Sequence, residues 1–194
     1  MPLTLNGTTG VDLIQDGAVV TADIASAAVT PAKLSQPLTA DTVKASTSGT
    51  NIDFTGIPSW VRRVTILLNG VSVSGSALVR VRLGTSGGFA TSGYNGASSI
   101  ISSGSATANS SAGFDIYTNV SGASFNQSGA IHLHLIDPAN NIWVCSGVIG
   151  WAAVTWTTTV GGNITLSGAL TQVRVTTSNG TDTFDAGSIN ILYE

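Results

Sequence analysis

Two stretches decide the fold: Val64-Thr65-Ile66-Leu67-Leu68-Asn69-Gly70 and Val79-Arg80-Val81-Arg82-Leu83. In the first, Val64, Ile66 and Leu68 face one way and Thr65 and Asn69 the other. In the second, Val79, Val81 and Leu83 oppose Arg80 and Arg82. A period of two sends alternate side chains to opposite faces, so each stretch reads as a strand with one buried and one polar face. The same alternation recurs downstream. Ile131, Leu133 and Leu135 oppose His132 and His134, and Val154, Trp156 and Val160 oppose Thr155, Thr157 and Thr159. Val173 and Val175 oppose Arg174, and Ile189, Ile191 and Tyr193 close the chain. Asn69-Gly70, Gly161-Gly162 and Asn179-Gly180 read as two-residue hairpin turns. Asp137-Pro138-Ala139-Asn140-Asn141 reads as a longer turn. No stretch after residue 50 has the pattern of a long amphipathic helix. About eight to ten short strands at this spacing predict an all-β head, sandwich or jelly-roll-like.

Two segments lack the apolar pattern of core strands. Thr85 to Gly113 is mostly Gly, Ser, Thr and Ala, with Phe89 and Tyr94 as its aromatics, and Val120 to Gly129 carries Phe125 between polar residues. Recognition residues concentrate on long loops held by a rigid scaffold, so Phe89, Tyr94 and Phe125 are the candidate contact residues. Trp60, after Pro58-Ser59, joins them as an aromatic at a strand entrance. The alternative for all four is plain connection, or plugging of an interface between subunits. Trp143, Trp151 and Trp156 fall among apolar residues and read as core.

Composition narrows the function classes. Of 194 residues only 9% are charged, while 42% are hydrophobic and 23 are Gly. Disordered chains combine low hydrophobicity with high charge, so this composition suits a folded β protein with neutral polar faces. A net charge of −3 offers no basic stripe for nucleic acid. Cys145, the single cysteine, permits no intrachain disulfide and lies in the apolar run Ile142-Trp143-Val144-Cys145, as a buried, inert thiol would. No secretory signal follows Met1-Pro2, and the apolar region Trp143 to Trp156 is too short to span a bilayer. Synthesis in a cytoplasm and no membrane insertion are expected.

Residues 1–46 differ from the rest. They hold both lysines, Lys33 and Lys44, and no aromatic residue. Within Asp16 to Leu38, Ala18-Val19-Val20-Thr21-Ala22-Asp23-Ile24 aligns with Ala28-Val29-Thr30-Pro31-Ala32-Lys33-Leu34 at a spacing of ten residues. Thr21 and Thr30 stand where a helix N-cap would, and Pro31 fits a first helical position. The unit therefore reads as an extended piece followed by a short helical turn. It cannot bury Val19, Ile24, Val29 and Leu34 against itself, so it needs neighbours, either more repeats or other chains. Residues 1–46 either stay flexible or order against partner chains, and Val19, Ile24, Val29 and Leu34 are the expected contacts of the latter. The boundary to the head, residues 47–194, falls at Thr47-Ser48-Gly49-Thr50.

The repeat "GAVVTADIASAAVTPAKL" resembles those near the N-termini of bacteriophage tail fibre and receptor-binding proteins. The stretch from Thr47 to Gly88, "TSGTNIDFTGIPSWVRRVTILLNGVSVSGSALVRVRLGTSGG", resembles the start of the β-rich head in the same proteins. The resemblance covers roughly the first half of the chain. It implies a homotrimer with an N-terminal stalk that docks to other tail, baseplate or virion proteins. It also implies a head that recognises a host surface glycan or protein, and a place in the virion. The main rival is a structural baseplate, tail-tip or capsid-decorating fibre without a receptor of its own, and the third class is a glycan depolymerase.

Chemistry beyond binding is not expected. His132 and His134 share one strand face, and the resemblance adds that some fibre tips bind iron through such pairs. A single pair lacks a third ligand within its own chain, so no metal or other cofactor is expected. A glycosidase needs two acids across a cleft. The only Glu is the terminal Glu194, Asp182 and Asp185 flank Phe184 near a turn, and Asp115 reads as solvated. The chain is therefore not expected to be an enzyme.

Overall fold

A computed structural model describes residues 36–102, 105–117, 125–152 and 154–194. The repeat positions Val19, Ile24, Val29 and Leu34 lie outside the described residues. The chain divides into two units, Met1–Pro37 and Leu38–Glu194. Leu38–Glu194 is all-β, with no helix among the described residues.

Its strands form two antiparallel sheets. The nine-stranded sheet runs β1 (Thr39–Ala40), β14 (Phe184–Tyr193), β4 (Arg63–Val73), β10 (Gln127–Asp137), β11 (Ile142–Trp151), β12 (Thr157–Thr165), β7 (Asn95–Ile101) and β8 (Ser105–Ser110), with β2 (Lys44–Ala45) also paired to β14. The five-stranded sheet runs β3 (Asn51–Thr55), β13 (Gln172–Thr177), β5 (Val79–Thr85) and β6 (Gly88–Phe89), with β9 (Phe114–Ile116) paired to β5. The apolar half of each alternating strand points to one shared core. Val64, Ile66, Ile131, Leu133 and Ile191 come from the large sheet, and Phe54, Val79, Val81, Leu83, Val173 and Val175 from the small one. All of these are fully buried. Each such side chain stabilises the fold by roughly 2 kcal/mol through area removed from water. The polar half of each strand is thereby fixed on the two outer faces.

Several expectations are corrected. Asn69-Gly70 is not a hairpin turn, because β4 runs through it for eleven residues. Gly70, with φ of 63°, sits where the register with β10 and β14 shifts, as at a bulge. Gly161-Gly162 is likewise inside β12, between β11 and β7. A Cβ on Gly162 would lie 2.2 Å from the Asn95 carbonyl oxygen, so close approach of neighbouring backbone explains the glycine. Asn179-Gly180 does form a turn, with the Asn179 side chain accepting from the N–H groups of Thr181 and Asp182, but it carries the chain from β13 of the small sheet to β14 of the large one and is not a hairpin. Asp137–Asn141 also turns as expected, its Asp137 carboxylate accepting from the N–H groups of Ala139 and Asn140. Thr85 to Gly113 contains β7 and β8, which extend the edge of the large sheet. The 38–46 stretch, placed on the stalk side of residue 47, pairs with β14 instead through β1 and β2.

Candidate functional site

The outer face of the small sheet carries a cluster of charge: Asp53, Arg80, Arg82, Asp115 and Arg174. The alternation that buries Val79, Val81 and Leu83 turns Arg80 and Arg82 outward, and on β13 it does the same for Arg174. Strand register sets Asp53, Arg174 and Arg82 in one cross-strand row. A neighbouring row holds Asn51, Thr176, Arg80 and Asp115. Arg80 donates from Nε and Nη2 to Asp115 at 2.5 and 2.9 Å. Arg174 donates from Nε and Nη2 to Asp53 at 2.6 and 2.7 Å. Both carboxylates are thus gripped in the two-pronged manner that suits a guanidinium. Hydrogen bonding to their partners raises Arg80 and Arg174 above the ordinary arginine value.

Arg82 differs. Its Nε donates to the Ala112 carbonyl at 2.9 Å, and among the described residues nothing accepts from its two terminal nitrogens. Burial, then the neighbouring Arg80, lowers it below the ordinary arginine value, and Arg174 adds to that repulsion. The Arg174 guanidinium carbon lies 4.1 Å from the centre of the Phe89 ring, a cation–π contact. Phe89 pairs with Gly84. A Cβ there would come within 2.9 Å of the ring and 2.7 Å of Gln172, so glycine makes room for the aromatic. Beside Phe89 opens a hollow of about 300 Å³ lined by Thr85, Gly88, Ala90, Thr165 and Leu166 among others.

The four candidate aromatics do not converge. Phe89 is half-buried on this face. Tyr94 is 3% exposed, its ring edge-on to Phe114 at 5.0 Å. Its hydroxyl accepts from the Leu83 N–H at 2.7 Å, and burial pushes that phenol up to about 12. Tyr94 is therefore a core residue, because its hydroxyl satisfies backbone left unpaired where β5 gives way to β6. Phe125 stacks in parallel on Trp156 with centroids 6.4 Å apart, and Trp60 tilts against Tyr193 at 6.4 Å. Trp143 and Trp151 are buried as expected.

His132 and His134 lie on the outer face of the large sheet, ring centres 6.5 Å apart, with Thr65 Oγ1 3.2 Å from His132 Nδ1. Among the described residues no three His, Cys, Asp or Glu side chains are grouped to hold a metal ion. His132 lies in the cross-strand row Leu192–Thr65–His132–Ser146–Gly161–Ala97, and the next row on the side away from His134 is Asn190–Leu67–Ala130–Val148–Thr159–Ser99. The first of these holds no formally charged residue and neither does the second, whereas the His134 row, Arg63–His134–Val144–Asn163–Asn95, carries Arg63, paired with Glu194. The second leaves Leu67 and Val148 exposed on either side of Ala130.

The acids are occupied structurally. Asp115, expected in solvent, is 7% exposed because it answers Arg80. Asp182 accepts from the Ala77 N–H at 2.8 Å, Asp185 takes a hydrogen bond from Ser72, and Glu194 pairs with Arg63. The Arg82 and Arg174 row was not singled out from sequence. Its only trace there is that three of five arginines sit at the polar positions of alternating strands. No protein-family model, curated protein or solved structure matches this chain.

Proposed function

We propose that this chain is a phage tail fibre protein whose β head recognises a host cell surface by passive binding. In this reading residues 1–37 dock it to the particle and three copies assemble through the heads. The observation that carries the proposal is the contrast between the two outer faces. The large sheet presents uncharged rows with Leu67 and Val148 exposed, chemistry that suits packing against further copies. The small sheet keeps arginines and an aromatic ring, with a hollow opening beside that ring between the β5–β6 turn and the end of β12, chemistry that suits a ligand. Binding is favoured over glycan cleavage because Asp53, Asp115, Asp182 and Asp185 already serve structural partners. Three copies of one weak site would give avidity on a repetitive surface.

The test is competition. The purified protein should bind host cells, block adsorption of particles, and release no glycan fragments. Light scattering should give a trimer's mass. If the protein binds no cell surface while particles lacking it adsorb normally, the receptor-binding reading fails. The neutral rows of the large sheet then favour the second reading, a structural tail-tip or baseplate component. A monomer's mass would sink the assembly.

A further inference from the structure

Resting on the receptor-binding reading, we propose that Arg82, flanked by Phe89 and Arg174, binds the acidic group of a saccharide, either a carboxylate or a phosphate carried on a sugar ring. The first ground is the charge on this face. Arg80 is matched by Asp115 and Arg174 by Asp53, each through two hydrogen bonds, and Arg82 stands between them unmatched. An anion at Arg82 would offset both the burial of its charge and the repulsion from Arg80 and Arg174.

The second ground is geometry. The bond from Arg82 Nε to the Ala112 carbonyl fixes the plane of the guanidinium. Its two remaining nitrogens then form a fork that needs little further ordering to take two oxygens. Phe89, seated over Gly84 two residues along β5, borders both Arg174 and the hollow. A sugar in that hollow could lay its C–H face against the ring while its acid reaches the arginines. One unmatched cation suits one anionic group. A nucleic acid or other polyanion would call for a track of them.

The experiment uses the full-length protein and calorimetric titration with trigalacturonate, with maltotriose as the neutral analogue and with inorganic phosphate. Trigalacturonate should bind with a Kd of millimolar order, and maltotriose at least about tenfold more weakly. Arg82→Gln should weaken the acidic ligand about tenfold, and Arg82→Lys, which keeps charge but loses the fork, by less. Arg62→Gln, at an exposed arginine elsewhere, should change nothing. Arg82-dependent binding of phosphate without trigalacturonate would keep the anion site and assign it to a phosphorylated sugar. Trigalacturonate and phosphate binding that is absent, or that survives unchanged in Arg82→Gln, would overturn the proposal. Should Arg82→Gln fail to fold, Arg82→Lys decides by the same criterion. Failure of the receptor-binding reading is seen separately, as absent cell binding by the unaltered protein.

Discussion

Arg80 holds Asp115 across β5 and β9 through two hydrogen bonds, with side chains only 12% and 8% exposed. The pair is the more buried of the two bidentate ion pairs on the small sheet, since Arg174 and Asp53 are 27% and 34% exposed. Removing one partner of a buried pair strands the other charge, which costs about 3 kcal/mol or more. An exposed pair contributes roughly 1 kcal/mol or less. Asp115→Asn should therefore destabilise the protein far more than Asp53→Asn. Denaturant titration of the two variants checks the order, and equal losses would show that burial does not separate the pairs.

Gly162 fixes how closely three strands of the large sheet approach. Its φ is 151° and an added Cβ would meet the Asn95 carbonyl oxygen at 2.2 Å. Gly161 beside it would place a Cβ at an ordinary 3.6 Å from the Cys145 carbonyl oxygen. Gly162→Ala should cost roughly 2 kcal/mol through backbone strain and displaced pairing of β7. Gly161→Ala should be mild. Thermal unfolding midpoints of the two variants are the measurement, and matching midpoints would refute the steric argument.

Cys145 is 5% exposed, and burial pushes its thiol from 9.0 up to about 12. In the fold the group stays protonated where the unfolded chain already ionises. Its contribution is complete below pH 9.0 and declines as pH rises toward about 12, because thiolate forms in the unfolded state first. Cys145→Ala should flatten the fall of stability in that window. The native thiol should resist an aromatic disulfide reagent at pH 8 until denaturant is added. Rapid labelling without denaturant would contradict the burial.

The alternation around Val64 and Val79 was enough to read an all-β chain and most of its core, because a period of two is a local property. Turns were less legible. Asn69-Gly70 and Gly161-Gly162 have hairpin composition, yet glycine also serves bulges and close strand contacts, which depend on neighbours distant in sequence. The edge strand β8, made of Ser, Ala, Thr and Asn, was hidden because it buries little, and β7 beside it because the positions it buries are Gly96, Ser98 and Ile100, of which only Ile100 is a large apolar residue. Tyr94 was misplaced for the same reason, since its burial comes from Phe114 and from backbone groups of Leu83. The Arg82 row could not be read in advance, because strand register alone brings Asp53, Arg174 and Arg82 together.

The short strands β1 and β2 make the last prediction. They cover one side of β14, with Thr39 and Ala40 opposite Tyr193 and Leu192, and Lys44 and Ala45 opposite Ile189 and Ser188. Asp41 and Ser46 donate their N–H groups to Ile191 and Gly187 at 3.0 Å, and the Ser46 hydroxyl donates to the Ala186 carbonyl at 2.8 Å. A chain beginning at Leu38 keeps all of these bonds. One beginning at Thr47, the boundary that composition suggests, removes them and leaves β14 with a bare edge that can pair with another molecule. The Leu38 chain should be soluble and β-rich, while the Thr47 chain should unfold at lower denaturant and aggregate on heating. Circular dichroism and light scattering compare them. If both behave alike, β1 and β2 add nothing to the head. If the Leu38 chain also competes with particles for host cells without joining them, then recognition resides in the head and docking in residues 1–37.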